Sequence, residues 1–390
     1  MVALVEAGHE VDLVCVRGRG EPGRERRGRV RVWRLVVPGS RRDGPVGYVV
    51  RYGWFLTAAA VLVGALHLRR RYRLVQVNTL PDVLVFAALV PRLLGARVLL
   101  DLQECMPEFF ATKFHTRMGH PVVRLIAALE QASIRFADLV ITPTAQLRET
   151  FIARGADPGK ISVVMDGADE EVFHPVRPTR RDPGRFTLIS HGTIEERYGL
   201  DTVIAAVGLL RAEIPELRLE IYGDGSDTGR LRRLVVEHGV ADRVHFSAGF
   251  VPVDELVAAI ATADVGVVAM KRDAFRDLTL AGKMFDFIAM GVPMAVSRTR
   301  SVEETFDAGC FELFESGDPA DLARAIRRLH ADPRHRCRLA AHVAVTAEPY
   351  RWPHQRTRYL AVVNRLLSDA TPGKSAEPGP FPEGDVTARR

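Results

Sequence analysis

No Cys-x-x-Cys pair occurs in the chain, and its four cysteines, Cys15, Cys105, Cys310 and Cys337, are scattered. That spacing argues against a zinc site or a disulfide framework and fits a reducing compartment. There is no repeat of solenoid period and no nucleic-acid recognition motif. Met1 does not open a secretory leader pattern. The apolar run at 54–68, WFLTAAAVLVGALHL, has 15 residues without a formal charge, whereas a spanning helix needs about 20. Uniform apolarity fits burial better than an amphipathic stripe. A core helix is therefore expected, with a membrane-resting helix as the second reading.

What is present is ordinary for a soluble protein: 47% hydrophobic and 26% charged over 390 residues, enough for two or more domains with real cores. The net charge of +6 is unevenly placed. Residues 1–78 hold 15 Arg and 6 Asp/Glu, a net of +9, so the remaining 312 carry −3. A basic N-terminal part suits an anionic partner, such as a membrane surface, a lipid pyrophosphate or a nucleotide. A solvated arginine-rich face explains it equally well.

Short β-branched runs alternate with longer helical stretches. Strands are expected at 11–16, 30–37, 74–77, 98–101, 139–142 and 161–164, then at 186–191, 218–222, 244–247, 265–269 and 293–297. Helices are expected at 121–136, 200–213 and 254–262, among others. Such alternation predicts an α/β protein with parallel sheets and crossover helices. The Pro-, Arg- and Asp-rich stretch at 175–185 is the best boundary, and ligands of such folds bind at the carboxyl ends of strands. Residues 1–9 read as the end of a helix stopped by Gly8, without the strand and turn that normally precede one. Residues 370–390 read as a disordered tail.

The segment 277–296, DLTLAGKMFDFIAMGVPMAV, concentrates the chemistry. A loop leads into a helix with Lys283 in its first turn; Gly291 and Pro293 stop the helix, and a strand follows. Backbone amides at Leu280, Ala281 and Gly282 would face an anion at the helix start. Asp286 shares a helix face with Lys283, a depth that suits ribose hydroxyls below a diphosphate. A surface Lys–Asp pair is the plain alternative. Upstream, SHGTIEERYGL places Gly192, Thr193 and Arg197 after a strand, where arginine can reach a phosphate. IYGDG ends another strand with Gly223 and Gly225, a shape that lets a ligand lie against the backbone. In VHFSAGFV the backbone at Phe250 and Val251 can meet a base edge. His9, His120 and His174 show no partner pattern and read as structural. Glu108, Asn78 and Asp82 are open between acceptor contacts and local capping, and His191 between ligand contact and structure.

The order HGT…RYGLDTVIAA, IYGDG, VHFSAGFVP…ADVGV and K-x-x-D-F-x-A-x-G-x-P resembles the family-4 glycosyltransferases of the GT-B fold. DLQECMPEFF resembles the Asp-x-His-Asp…Pro-Glu stretch of a polysaccharide-building branch. VVMDGADEEVFHP resembles the crossing between domains, and YRWPHQRTRYLAVVNRLL the last helix. The resemblance implies two Rossmann-like domains across a cleft: an N-terminal acceptor-side domain at 1–175 and a C-terminal nucleotide-sugar domain at 184–347. It also implies a returning helix at 348–368 and a tail at 369–390. It implies a retaining, metal-independent transferase without a cofactor, taking a UDP- or GDP-linked sugar to a glycan or lipid-linked acceptor. The scattered cysteines fit a cytoplasmic enzyme. The basic N-terminal part would then face an anionic membrane, peripheral at the inner face of the plasma membrane, and no nucleic-acid partner is expected. By this likeness Arg197 and Lys283 neutralise the pyrophosphate. Gly192, Thr193, Leu280, Ala281 and Gly282 give backbone contacts, Asp286 takes the ribose place, and Gln103 and Glu104 lie at the reacting centre.

The chain departs from the pattern in places. Leu278 stands where the first of two glutamates is expected, with Asp277 one residue away as a substitute, and Asp286 replaces the second. Gln103 stands where a His is expected, and glutamine cannot serve as acid or base. Asp166 replaces an Asn, and the first strand with its Gly-rich loop has no counterpart. The reading that Met1 is a wrong start is preferred to a degraded relative. A non-catalytic nucleotide-sugar or glycan-binding relative is the alternative function, and a sugar-nucleotide epimerase a weaker third.

Overall fold

The computed structural model describes residues 1–18, 20–38, 45–176, 182 and 184–369. The expected tail at 370–390 and most of the 175–185 boundary fall outside these. Along the first half run α1 (Val2–Glu6), β1 (Val11–Val16), β2 (Arg24–Arg27), β3 (Val30–Leu35), α2 (Pro45–Arg70) and β4 (Leu74–Asn78). Then follow α3 (Leu89–Leu93), β5 (Arg97–Asp101), α4 (Met106–Lys113), α5 (Pro121–Phe136), β6 (Leu139–Thr142), α6 (Ala145–Ala153) and β7 (Ile161–Val163). The second half holds β8 (Phe186–His191), α7 (Leu200–Leu209), β9 (Leu217–Tyr222), α8 (Thr228–Glu237), β10 (Val244–Phe246), α9 (Val253–Thr262) and β11 (Val265–Val268). It continues with α10 (Gly282–Ala289), β12 (Met294–Ser297), α11 (Arg300–Thr305), β13 (Glu312–Phe314), α12 (Pro319–Ala331), α13 (Pro333–Thr346) and α14 (Trp352–Asp369).

Helix boundaries follow local chemistry. Asp318 accepts the amides of Ala320 and Asp321 with Pro319 in the first turn of α12, the arrangement that satisfies orphan N–H groups. Gly291, at φ +70°, ends α10 as a left-handed glycine does.

Among the described residues the strands form three sheets. β4-β5-β6-β7 is parallel throughout, as is β10-β9-β8-β11-β12-β13. In the third sheet β1 pairs parallel with β3, and β2 pairs antiparallel with β3. The strands of the first half thus fall in two sheets, of which β1 and β4 each close an edge, and Tyr72, just before β4, bridges them. Tyr72 donates its hydroxyl to Asp12 on β1 at 2.7 Å.

α14 crosses back to the first half. Tyr359, Val362, Val363 and Leu366 pack with Leu99, Leu139 and Ile141 in one buried cluster. Tyr359 donates to Gln76 (2.6 Å), and Gln355 accepts the amide of Met165 (2.8 Å). The two halves also interlock at the cleft. Phe275 and Leu278 of the second half are buried in the first half's core with Leu102, Cys105 and Leu147. Thr144, capping α6, donates to the Leu278 carbonyl at 2.6 Å.

The expectation of a core helix at 54–68 is corrected. α2 packs one side on the turn Asp82–Ala88 and on α3, but Val50, Trp54, Val61 and Leu68 face outward. Residue periodicity cannot register this, because α2 is apolar on both its covered and its uncovered side.

Candidate active site

β8 ends at His191, and the chain turns at Gly192 (φ +105°) against Lys283. A Cβ on Gly192 would lie 3.9 Å from the Lys283 ammonium, so the first turn of α10 sits directly over this loop. α10 starts after Ala281, whose side chain supplies no cap; its leading amides, with the positive end of the helix dipole, are offered to the cleft. Leu280 is half-buried, Ala281 is buried, and the position of a Gly282 Cβ is open space.

The loop after Gly192 carries Tyr198, whose ring organises the site. Among the described residues three cations approach that ring: Lys283 Nζ at 4.9 Å, Arg197 at 5.4 Å and Arg276 at 5.4 Å. Each gains from the ring's negative face, yet together they repel. Burial pulls Lys283 down to about 8; Asp286 opposes this shift and Arg276 adds to it. Burial also lowers Arg276, with Arg197 beside it contributing. Asp286, one turn along α10, is pushed up to about 6 by burial against the pull of Lys283. His191 lies 3.6 Å from Asp286 and packs edge-on against Phe287; burial and Lys283 hold it near 3, hence neutral at pH 7.

Arg197 pairs with Glu195 at 2.6 Å, and its Nε has no hydrogen-bond partner among the described residues. The same holds for Nε of Arg276 and Oε2 of Glu104. Nε2 of His191 is likewise without a hydrogen-bond partner among the described residues. Buried polar atoms are ordinarily paired, so four such atoms at one site suit a polar ligand. Glu104 stands on the opposite wall, its carboxyl raised by burial against the pull of Arg276 and Arg197. Gln103 donates to Asp101 at 2.7 Å. Asp101 is pushed up to about 6 by burial, with Gln103 lowering it and Asp166 raising it.

The structure brings together Gly192, Arg197, Lys283, Asp286 and, from the first half, Glu104. It changes the reading of others. A Cβ on Gly223 would meet the Gly192 carbonyl at 1.8 Å, and one on Gly225 the Ile194 carbonyl at 2.0 Å. Both glycines thus let two loops stack, rather than opening backbone to a ligand. Thr193 is exposed between those stacked residues. The Gly223 amide donates to Ser247 (3.0 Å), whose hydroxyl donates to Gly249 (2.6 Å). This holds the turn that presents an exposed Phe250 and a half-buried Val251. Asp277 is engaged elsewhere: it pairs with Arg272 and accepts the Arg300 amide at 3.0 Å. Leu278, where a carboxylate was expected, points into the first half's core. Arg276 carries the site but has no sequence signature, because it meets Tyr198 of the RYGL motif only in the folded chain.

Gly223→Ala is expected to destabilise the fold by about 1–3 kcal/mol, the usual range for overpacking, because the methyl and the Gly192 carbonyl cannot share that space. Thermal melting checks this; an unchanged Tm would contradict the stacking.

A family model described as a glycosyl transferase 4-like domain matches residues 1–167, and one described as glycosyl transferases group 1 matches residues 185–332. The chain belongs to the family-4 glycosyltransferases. Among such transferases it is similar to the D-inositol 3-phosphate glycosyltransferase of Thermomonospora curvata, 29% identical over 65% of this chain and 61% of that protein. It is also similar to the 2-deoxystreptamine N-acetyl-D-glucosaminyltransferase of Streptomyces fradiae, 29% identical over 81% of this chain and 76% of that protein. The chain spans 55% to 61% of the length of the D-inositol 3-phosphate glycosyltransferases it matches. Its GT-B fold is shared with sucrose-phosphate synthase from Thermosynechococcus elongatus, at TM-score 0.73 and 22% identity over 94% of this chain and 91% of that one.

Proposed function

We propose that this chain transfers a sugar from a UDP- or GDP-linked donor to a glycan or lipid-linked acceptor, with retention and without a metal. The observation that carries the reading is the cation cluster on Tyr198, set beside the uncapped start of α10. Cleaving the anomeric C–O bond leaves negative charge on the β-phosphate. Lys283, Arg276 and Arg197 supply fixed positive charge there, in a partly desolvated cleft where such charge acts most strongly. Asp286 accepts the ribose hydroxyls, and the turn at Phe250 and Val251 lies against the base. The first half presents Glu104 and the Gln103–Asp101 pair to the acceptor. A cytoplasmic setting is part of the same proposal.

A second reading, a nucleotide-sugar binder without turnover, is favoured by Leu278 in the core and by Gln103 tied to Asp101. The test is release of nucleoside diphosphate from a panel of UDP- and GDP-hexoses, with lipid extract or oligosaccharide as acceptor, and NMR of the product anomer. Acceptor-dependent release with retained configuration supports the transferase. Donor binding without release establishes the binder.

Donor affinity should depend on pH. A bound pyrophosphate favours protonated Lys283, so donor affinity falls as pH rises through about 8. Ribose hydroxyls favour ionised Asp286, so affinity also falls below about 6. Each limb approaches tenfold per pH unit. Calorimetry with a nucleotide sugar, whose diphosphate diester does not titrate in this range, should give a plateau between these values. A flat profile from pH 5 to 9 would contradict the assignment.

A further inference from the structure

α2 is 26 residues long, and only 22% of its most apolar window is buried. Its inner side is covered: Val90 of α3 packs over Gly64. Its outer side exposes Val50 (62%), Trp54 (42%), Val61 (70%) and Leu68 (65%). The exposed side of a helix in water is normally polar, and a contiguous apolar face marks an interaction surface. Apolar side chains are exposed on the neighbouring helices as well. α3 and the residue after it expose Leu89, Leu93 and Leu94. The turn Asp82–Ala88 contacts both α2 and α5, and α5 exposes Val122, Leu125 and Leu129 at a spacing of three and four residues.

Charge identifies the partner. Residues 45–129 contain ten Arg or Lys and four Asp or Glu. The four acids are Asp82, Asp101 and Glu108, which are buried, and Glu104, which is in the cleft. The exposed charge on this stretch is therefore positive: Arg69, Arg71 and Arg73 follow the apolar face of α2, beside Arg70, which pairs with Asp12 of β1, and Lys113, Arg117 and Arg124 flank that of α5. A second copy of the chain would bring like charge against like charge. A bilayer with anionic headgroups offers an apolar layer rimmed by phosphates, and each basic residue near it contributes to binding.

We propose that α2, α3 and α5 together form a face that lies on an anionic bilayer, with Trp54, Val61 and Leu93 in the headgroup–acyl boundary and the arginines at lipid phosphates. α2 lies along the surface rather than crossing it, because its inner side is packed on the protein. The face adjoins the cleft. α4 ends at Lys113 beside exposed Phe114, and its Phe109 touches Arg197 and Phe275. If the transferase reading holds, a lipid-linked acceptor meets the donor without leaving the bilayer; the docking itself does not rest on that reading.

The test is co-sedimentation of the full chain with phosphatidylcholine vesicles, with and without 30% phosphatidylglycerol. We expect partitioning at least tenfold stronger with phosphatidylglycerol, weakened by 0.5 M salt, and reduced at least tenfold in Val61→Glu/Leu93→Glu. Unchanged melting and unchanged nucleotide binding control for folding in that variant. Should it misfold, quenching by lipids with brominated acyl chains, compared between the native chain and Trp54→Phe, reads the same contact, and quenching that Trp54→Phe leaves in full overturns it. Equal sedimentation with both vesicle types overturns the proposal, as does a variant that binds like the native chain. So does a concentration-dependent dimer, without vesicle binding, that Val61→Glu/Leu93→Glu dissociates. Vesicle binding without nucleotide binding would leave this proposal standing and remove the transferase reading.

Discussion

Lys283→Ala should lower kcat/KM for the donor by about 10²–10³-fold, roughly 3–4 kcal/mol of transition-state stabilisation. The loss should exceed the loss in ground-state affinity, because negative charge on the diphosphate grows as the anomeric bond breaks. Affinity for UDP or GDP should itself fall by about 10–100-fold, as expected for one charge-assisted hydrogen bond. A second readout separates this from a packing effect. Lys283 is one of the two causes that hold His191 near 3. Removing it should move the His191 titration upward, which NMR of the imidazole protons can follow. Nucleotide binding equal to the native chain's would remove Lys283 from the diphosphate.

Arg276→Met should act oppositely on the free and the bound protein. Arg276 is only 7% exposed, stacked on Phe275 at 4.7 Å, and its Nε is unpaired among the described residues. It also depresses Lys283. Replacing it with an apolar side chain of similar length removes a desolvated charge and a like-charge neighbour while keeping the stacking. Stability of the free protein should rise by about 1–2 kcal/mol, which for domains of this size is a few degrees in Tm. UDP or GDP affinity should fall about tenfold or more, and the alkaline limb of donor binding should move above 8 as Lys283 recovers. A purely structural arginine would give the reverse, a lower Tm with unchanged nucleotide binding. The exchange of stability for binding is what a site holding unpaired charge for a ligand implies.

These effects also show which parts of the site were legible in the sequence. Lys283, Asp286 and Gly192 sit at helix starts and strand ends, where local chemistry already points to an anion, and the structure places them within reach of one another. Arg276 lies in a single turn, Arg276–Leu278, with no periodicity around it. It meets Tyr198, far back in the same half of the chain, only through the fold. Glu104 reaches the same cluster from the other half of the chain, so no spacing rule connects them. The parallel strands were readable because β-branched runs buried on both faces read as continuous apolar stretches. β2 was not: Arg24–Arg27 is charged throughout and pairs only at a sheet edge, where burial imposes no alternation. α2 failed for a related reason. A helix uniformly apolar in sequence is consistent with a protein core or with a lipid surface, and only the fold shows which sides the protein covers.

In the proposed reaction the Tyr198 cluster and the start of α10 hold a nucleoside diphosphate. Calorimetric titration of UDP and GDP into the full chain at pH 7, repeated with Lys283→Ala and Arg276→Met, tests it most directly. Saturable one-to-one binding that prefers one base and weakens at least tenfold in each variant is expected. Binding indifferent to both substitutions, or no binding by the native chain, would contradict it.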